Sequence, residues 1–170
     1  LSSIAACAKP TLALIEGACI GGGCSIALAC DFRFAVDSAR FGVTPGKLGL
    51  VYPLADTRRL IRTVGLSRAK DILFTGRIFS APEALVWGLV DRLDEIGNLE
   101  AEAMRLINDI ARTSQWSVRA TKRMIALMEE GASDDDAAAE ALFLDSFSGE
   151  DFKEGYRAFL DKQTPDFPFK

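Results

Sequence analysis

An α/β domain that grades into an all-helical C-terminal region is the fold class this sequence predicts. Three observations predict it. The first fifty residues hold short apolar segments bounded by Pro and Gly, as buried strands do. A triple glycine, Gly21-Gly22-Gly23, joins one such segment to an apolar stretch of helical length. Beyond Asn98 the chain carries helical spacing and helix-start residues to its end. With 170 residues, 49% of them hydrophobic and 26% charged, the chain suffices for one core and a small helical appendage. The expected division is a core over 1–95 and a helical region over 96–170.

The elements follow in order. Thr11 to Glu16 (TLALIE) lies between Pro10 and Gly17 and reads as a buried strand. After the glycines, Cys24 to Cys30 (CSIALAC) suits a short buried helix. Phe32 to Val36 and Arg40 to Val43 are β-like, with Asp37-Ser38 as the turn between them. Thr44 to Pro53 is loop-like, punctuated by Pro45, Gly46, Gly49 and Pro53. Leu54 to Val64 places Leu54, Leu60, Ile61 and Val64 on helical spacing and stops at Gly65. Ser67 to Thr75 begins on a capping residue and stops at Gly76. Ser80-Ala-Pro-Glu83 is a capping-box signature, so a helix should run to about Trp87 and end at Gly88. Leu89 to Leu93 suits one more strand. Four helices complete the chain: Asn98 to Thr113, Ser117 to Glu130, Ser133 to about Ser148, and Asp151 to Lys162. The run Asp134-Asp135-Asp136 suits a helix start, where negative charge favours the dipole.

Composition excludes several classes of function. A net charge of −4 without a Lys/Arg run argues against nucleic acid or an anionic membrane as partner. No apolar stretch nears the ~18 residues that span a bilayer, because Glu16, Asp31 and Arg33 interrupt the richest region. The start lacks an initiator Met and the pattern of a signal peptide, so the chain is expected to begin inside a larger, cytoplasmic protein. Cys7, Cys19, Cys24 and Cys30 form no CxxC pair and read as small thiols in a reducing compartment, with no metal site. The absence of His removes Ser-His and Cys-His nucleophile pairs.

A strand, three glycines and a helix could form a phosphate loop, a dinucleotide turn, or a backbone that approaches a ligand closely. No Gly-Lys-Ser/Thr follows, which excludes the first. Counting from Gly21, the sixth position is Ile26 rather than Gly or Ala, which excludes the second. The third leaves backbone N–H groups at a helix start free to meet a ligand, and a turn made for packing alone stands beside it.

Lys9-Pro10, the strand, Glu16-Gly17, Gly21-Gly22-Gly23-Cys24 and Ala29-Cys30-Asp31 together resemble the signature of the crotonase (enoyl-CoA hydratase/isomerase) superfamily. So do Phe41-Gly42, Leu48-Gly49, Arg59-Leu60, Val64-Gly65, Thr75-Gly76, Ser80 to Val90 and the ending Glu154-Gly155 to Phe167. The match runs in order along nearly the whole chain and corresponds to the C-terminal two-thirds of a family member. It implies a spiral of ββα units, a C-terminal helical region that builds a homotrimer or hexamer, and an acyl-CoA thioester as substrate. CoA then arrives as part of the substrate, with no separate cofactor. The family stabilises a thioester enolate with two backbone N–H groups, each worth ~3 to 4 kcal/mol in the transition state. By the match Gly22 supplies one, and the other belongs to a segment upstream of Leu1.

The chain departs from the hydratase pattern at both glutamates. The position after Gly-Gly-Gly-Cys is Ser25, and the position four residues after Phe41 is Pro45. Neither can accept a proton near neutral pH, and losing a general acid/base costs ~10²- to 10⁴-fold. Decarboxylation needs no carboxylate base, since loss of carbon dioxide leaves the enolate directly. The loop from Thr44 to Tyr52 resembles in part that of methylmalonyl-CoA decarboxylase, with Thr44 and Tyr52 as hydroxyl donors. Thr44 equally suits a turn cap, and Tyr52 the core. Asp56 suits a cap or an ion pair. The expected catalytic residues are thus Gly22, Ser25, Thr44 and Tyr52. The substrate is expected to touch Gly21, Gly22, Pro45, Leu48 and Pro53, with Phe159 and Lys162 of the last helix on CoA. The reaction stays open among isomerisation, decarboxylation and weak hydration, with a non-catalytic acyl-CoA-binding or assembly role as the rival.

Overall fold

The computed structural model describes residues 1–169. Its contacts divide the chain into two compact units, Leu1–Cys7 with Thr11–Arg105, and Ala8–Pro10 with the chain from Leu106 onward.

In the first unit, α1 (Ser2–Ala5) leads to β1 (Leu12–Ile15), which Pro10 and Gly17 bracket. β2 (Ala18–Ile20) runs into the glycines, and α2 (Gly22–Ala29) follows without a loop. β3 (Phe32–Val36), β4 (Arg40–Gly42), α3 (Leu54–Val64), α4 (Leu66–Thr75), β5 (Ile78–Ser80), α5 (Ala81–Val86) and β6 (Arg92–Asp94) complete the unit with the start of α6 (Leu99–Ala111). Two three-stranded sheets result. One is parallel in the order β1-β3-β6, with Leu12 opposite Phe32 and Phe34 opposite Arg92. In the other, β2 runs parallel to β4 and β4 antiparallel to β5, with Cys19 opposite Phe41 and Phe41 opposite Phe79. The first four strands thus alternate between the sheets, β5 joins β4, and β6 returns to the first sheet, a mixed α/β arrangement such as the sequence leads one to expect.

The core of this unit is built from Phe34, Phe41, Leu60, Ile72 and Phe79, all fully buried. Phe79 stacks on Phe41 and meets Trp87 at 4.8 Å between ring centres. The capping box at Ser80 is complete: its hydroxyl accepts from the Glu83 N–H, and the Glu83 carboxylate accepts from the Ser80 N–H at 2.9 Å. Arg33 is buried beneath the end of α2, where it donates to the carbonyls of Cys30 and Leu89 at 2.9 and 2.8 Å and pairs with Asp91. A cation there also complements the negative end of the helix dipole.

The second unit holds the rest of α6 and then α7 (Gln115–Glu130), α8 (Ala137–Ser146) and α9 (Glu150–Asp161). Ser114 caps α7 and donates to buried Asp151 at 2.6 Å, and Asp151 also accepts from the Phe169 N–H. Rings of Phe143, Phe147, Phe152 and Tyr156 meet edge to face or stacked along α8 and α9.

Several expected boundaries move. The helix after the glycines starts at Gly22 rather than Cys24, because the glycines themselves form its first turn. Within the expected loop, Pro45–Leu48 closes a short 3-10 turn. α4 begins at Leu66 and α7 at Gln115, each ahead of the serine expected to start it. α8 begins at Ala137, because Asp136 rather than Ser133 accepts from the first free N–H groups, those of Ala138 and Ala139. The strand expected at Leu89 to Leu93 lies later, at Arg92–Asp94, and β2 and β5 are elements beyond those expected. No helix among the described residues is long and apolar enough to cross a membrane.

Candidate functional site

The glycine turn is where β2, β4 and α2 meet. Gly21 donates its N–H to the Gly42 carbonyl of β4 at 2.9 Å, and its own carbonyl accepts from the Ser25 N–H, the first helical bond. This requires φ 55° and ψ −110° at Gly21, a region closed to residues with a side chain. Gly22 is then the first residue of α2. By position its N–H has no acceptor inside the helix, and the residue is exposed. A Cβ placed on Gly22 would meet nothing within 4 Å, so the backbone there borders open space. An N–H at a helix start, carrying the positive end of the dipole, favours an oxygen that gains negative charge.

Cys24 holds the turn from below. Its thiol donates to the Cys19 carbonyl of β2 at 2.7 Å and lies 3.3 Å from the Gly42 carbonyl of β4. The Cys19 and Cys24 sulfurs stand 3.9 Å apart, and the Cys24 sulfur, together with burial, pushes the Cys19 thiol well up from its ordinary range. The sulfurs bind strands to helix, as small buried thiols.

Ser25 and Tyr52 meet although 27 positions separate them. Ser25 lies on the second turn-face of α2 and Tyr52 just ahead of α3; both are buried, and their hydroxyl oxygens are 2.8 Å apart. Burial pushes the Tyr52 phenol up to about 12, against the opposing pull of the Ser25 hydroxyl. The phenol is therefore protonated at neutral pH. It can donate a proton, but it cannot take one from Ser25 to make a nucleophile. Ser25 and Tyr52 thus form a buried, neutral pair of hydroxyls.

The other expected residues fall into two groups. Thr44, half-buried, precedes the 3-10 turn and accepts through its carbonyl from the Lys47 N–H; its hydroxyl is not part of the Ser25–Tyr52 pair. Pro45 is the first residue of that turn, half-buried, and Pro53 is exposed at the start of α3. Leu48 is exposed, as are Leu50, Val51 and Leu54, so the loop that carries Tyr52 presents an apolar rim to solvent. Phe159 and Lys162 belong to the second unit: Phe159 is 79% exposed on α9, and Lys162 ends that helix with φ 55°.

Asp56 is the residue whose surroundings the sequence discloses least. It is 2% exposed and pairs with Arg59 at 2.9 Å, as the i,i+3 spacing predicts, but it caps nothing. Its electrostatic reach to Tyr52, which it helps to push up, needs the fold to be seen. Among the described residues no three His, Cys, Asp or Glu side chains gather as metal ligands would.

Residues 1–170 match the family model described as enoyl-CoA hydratase/isomerase. The crotonyl-CoA hydratase of Syntrophomonas wolfei is 36% identical over 168 residues, covering 96% of this chain and 64% of that protein. The short-chain-enoyl-CoA hydratase of Clostridium acetobutylicum is 36% identical over 156 residues, or 91% of this chain and 60% of that one. Among solved structures, an enoyl-CoA hydratase/isomerase family protein from Hyphomonas neptunium superposes with a TM-score of 0.97 at 56% identity, covering 99% of this chain and 64% of that one. The chain thus spans less than two-thirds of the length of each relative.

Proposed function

The chain belongs to the enoyl-CoA hydratase/isomerase (crotonase) family, and from that premise we propose that the protein containing it processes an acyl-CoA thioester through an oxyanion-stabilised enolate, with a neutral hydroxyl pair in place of the hydratase carboxylates. The observation that carries this reading is the 2.8 Å contact between Ser25 and Tyr52, buried on the helix that Gly22 begins. Gly22 supplies one N–H to the thioester oxygen. The pair donates a proton to the carbon where the enolate collapses. The exposed Leu48, Leu50, Val51 and Leu54 suit an apolar acyl group, and CoA enters as part of the substrate with no further cofactor. Phe159 and Lys162 contact CoA, and the exposed aromatic residues of α8 and α9 support assembly as a homotrimer or hexamer.

A second reading sharpens the first: decarboxylation of a malonyl-CoA-type substrate. A phenol held near 12 is an acid and not a base, and decarboxylation forms the enolate without a base. Calorimetry on the full-length protein should detect binding of an acyl-CoA, and the absence of binding by any acyl-CoA defeats both readings. Turnover of methylmalonyl-CoA, with little of crotonyl-CoA or a 3-enoyl-CoA, favours the decarboxylase. Binding without turnover of all three favours a non-catalytic role. Gly22→Pro should cost ~10²- to 10³-fold in kcat, because Pro is accepted at the first helical position while the oxyanion donor is deleted.

A further inference from the structure

Two thiols stand in contact at the glycine turn, and the reaction just described uses neither. Cys19 lies in β2 and Cys24 in the first turn of α2, with only Ile20 and the three glycines between them. Their sulfurs are 3.9 Å apart, and the Cys24 sulfur is also 2.7 Å from the Cys19 carbonyl. The two side chains therefore converge, and a disulfide asks only that the sulfurs close to about 2 Å. Burial limits what can reach them: Cys19 is 5% exposed and Cys24 2%, which shuts out bulky reagents. The turn that joins them, however, is bare of side chains. Gly22 is exposed, and a Cβ on Gly21 or Gly22 would meet nothing within 4 Å. A small oxidant that arrives at the turn has only backbone to pass.

We propose that Cys19 and Cys24 form an oxidative modification site, where a hydroperoxide converts the thiol pair to a disulfide that displaces the first turn of α2. One thiol takes an oxygen from the hydroperoxide and becomes a sulfenic acid, releasing the alcohol, or water when the oxidant is hydrogen peroxide. The second sulfur then attacks the first, the S–S bond forms, and the oxygen leaves as water. Two thiols are oxidised and one O–O bond is reduced, so no further reactant is needed. The link removes the proton that Cys24 donates to the Cys19 carbonyl and draws the third residue of α2 towards β2. Gly22, two residues earlier, moves with it. That consequence for the oxyanion donor rests on the enolate reading above.

The test treats the full-length protein with hydrogen peroxide, alkylates the remaining thiols and maps the cysteines by fragment-ion mass spectrometry. A Cys19–Cys24 link is expected, with Cys7 and Cys30 alkylated, and dithiothreitol should restore both thiols. Amide hydrogen exchange over residues 20–25 should be at least about tenfold faster in the oxidised protein, since the turn then opens more readily. Affinity for an acyl-CoA should fall with it. Cys19→Ala keeps the backbone carbonyl that Cys24 meets; it should form no link, and peroxide should leave its exchange unchanged. Cys19→Ser should behave alike and fills more of the space, which guards against misfolding of the first variant. No link in the folded protein, or Cys24 carried to a sulfinic acid without one, overturns the proposal. So does a link that leaves the exchange over residues 20–25 as it was. Mapping and exchange need no substrate, so the thiol site can fail while acyl-CoA binding holds, and the reverse.

Discussion

Residues 11–105 close Phe34, Phe41, Leu60, Ile72 and Phe79 away from water, whereas residues 106–169 leave Phe143, Leu144, Phe147, Phe159 and Leu160 more than half exposed. Among the described residues the second stretch buries only Leu127 and Ala158 of its apolar side chains. Both stretches form good secondary structure, so the difference lies at the level of packing. The first buries a sizeable core of its own, although Leu48, Val51, Leu54, Phe74 and Val86 stay exposed. Helices in the second are started by local devices, the Ser114 and Asp136 caps, but keep much of their apolar face unspent. Short helices are marginal until such a face is covered. The chemistry proposed here sits in the stretch with the larger buried core, where a hydroxyl pair can be held rigid, and the assembly proposed here draws on the other.

The sharpest way to break this comparison is at Tyr52. Tyr52→Phe removes the proton donor and leaves the buried Ser25 hydroxyl without its partner. Turnover of methylmalonyl-CoA by the full-length protein should fall by ~10²- to 10⁴-fold, as steady-state kinetics would read. Turnover that survives unchanged removes Tyr52 from the chemistry.

Next in size is the core itself. Phe79 is 2% exposed between Phe41 and Trp87. Phe79→Ala should cost about 3–5 kcal/mol in urea unfolding, as deletion of a buried ring does. A loss under about 1 kcal/mol would mean that this stretch does not rely on its own core.

A smaller effect tests local against tertiary structure at the capping box. The Ser80 N–H, then the Ser80 hydroxyl and Arg77, hold the Glu83 carboxyl at about 2, below its ordinary range. A depressed carboxyl lends stability above its unfolded pKa and loses it as pH falls through the folded one. This contribution is therefore full near neutrality and fades from the ordinary carboxylate range down to about pH 2. Ser80→Ala should cost about 0.5–2 kcal/mol near neutrality, and the penalty should shrink in acid. A carbon-detected NMR titration should show the Glu83 transition rising towards the usual range.

How much was legible follows the same divide. α5 was readable to within a residue because Ser80, Pro82 and Glu83 act on one another within a single turn. β2 and β5 were not, since three-residue strands have no periodic pattern and exist by pairing with β4. The start of α8 was missed because four polar residues in a row, Ser133 to Asp136, all suit a cap, and only the path of the backbone selects Asp136. At the site, sequence named Ser25 and Tyr52 singly, from the positions they occupy. That they share a hydrogen bond is a long-range fact created by α2 lying beside α3. Asp56 was readable as an ion-pair partner at i,i+3, while its burial and its bearing on Tyr52 were not.

The smallest expected effect on the fold carries the most about the second stretch. Phe159 is 79% exposed on α9, so Phe159→Ser removes little from the chain's own packing and should change unfolding of the dissociated chain by no more than about 0.5 kcal/mol. If the α8–α9 face is covered by another copy, the same substitution deletes apolar area from the interface, worth about 1.5–3 kcal/mol for a buried ring. Sedimentation of the full-length protein should then show association weakened by about tenfold or more, with helix content unchanged. If Phe159 instead meets only CoA, association stays as it was and acyl-CoA affinity falls. No change in either quantity would leave the ring exposed in the working protein, and the contrast between the two stretches would then be one of stability alone, with no bearing on assembly.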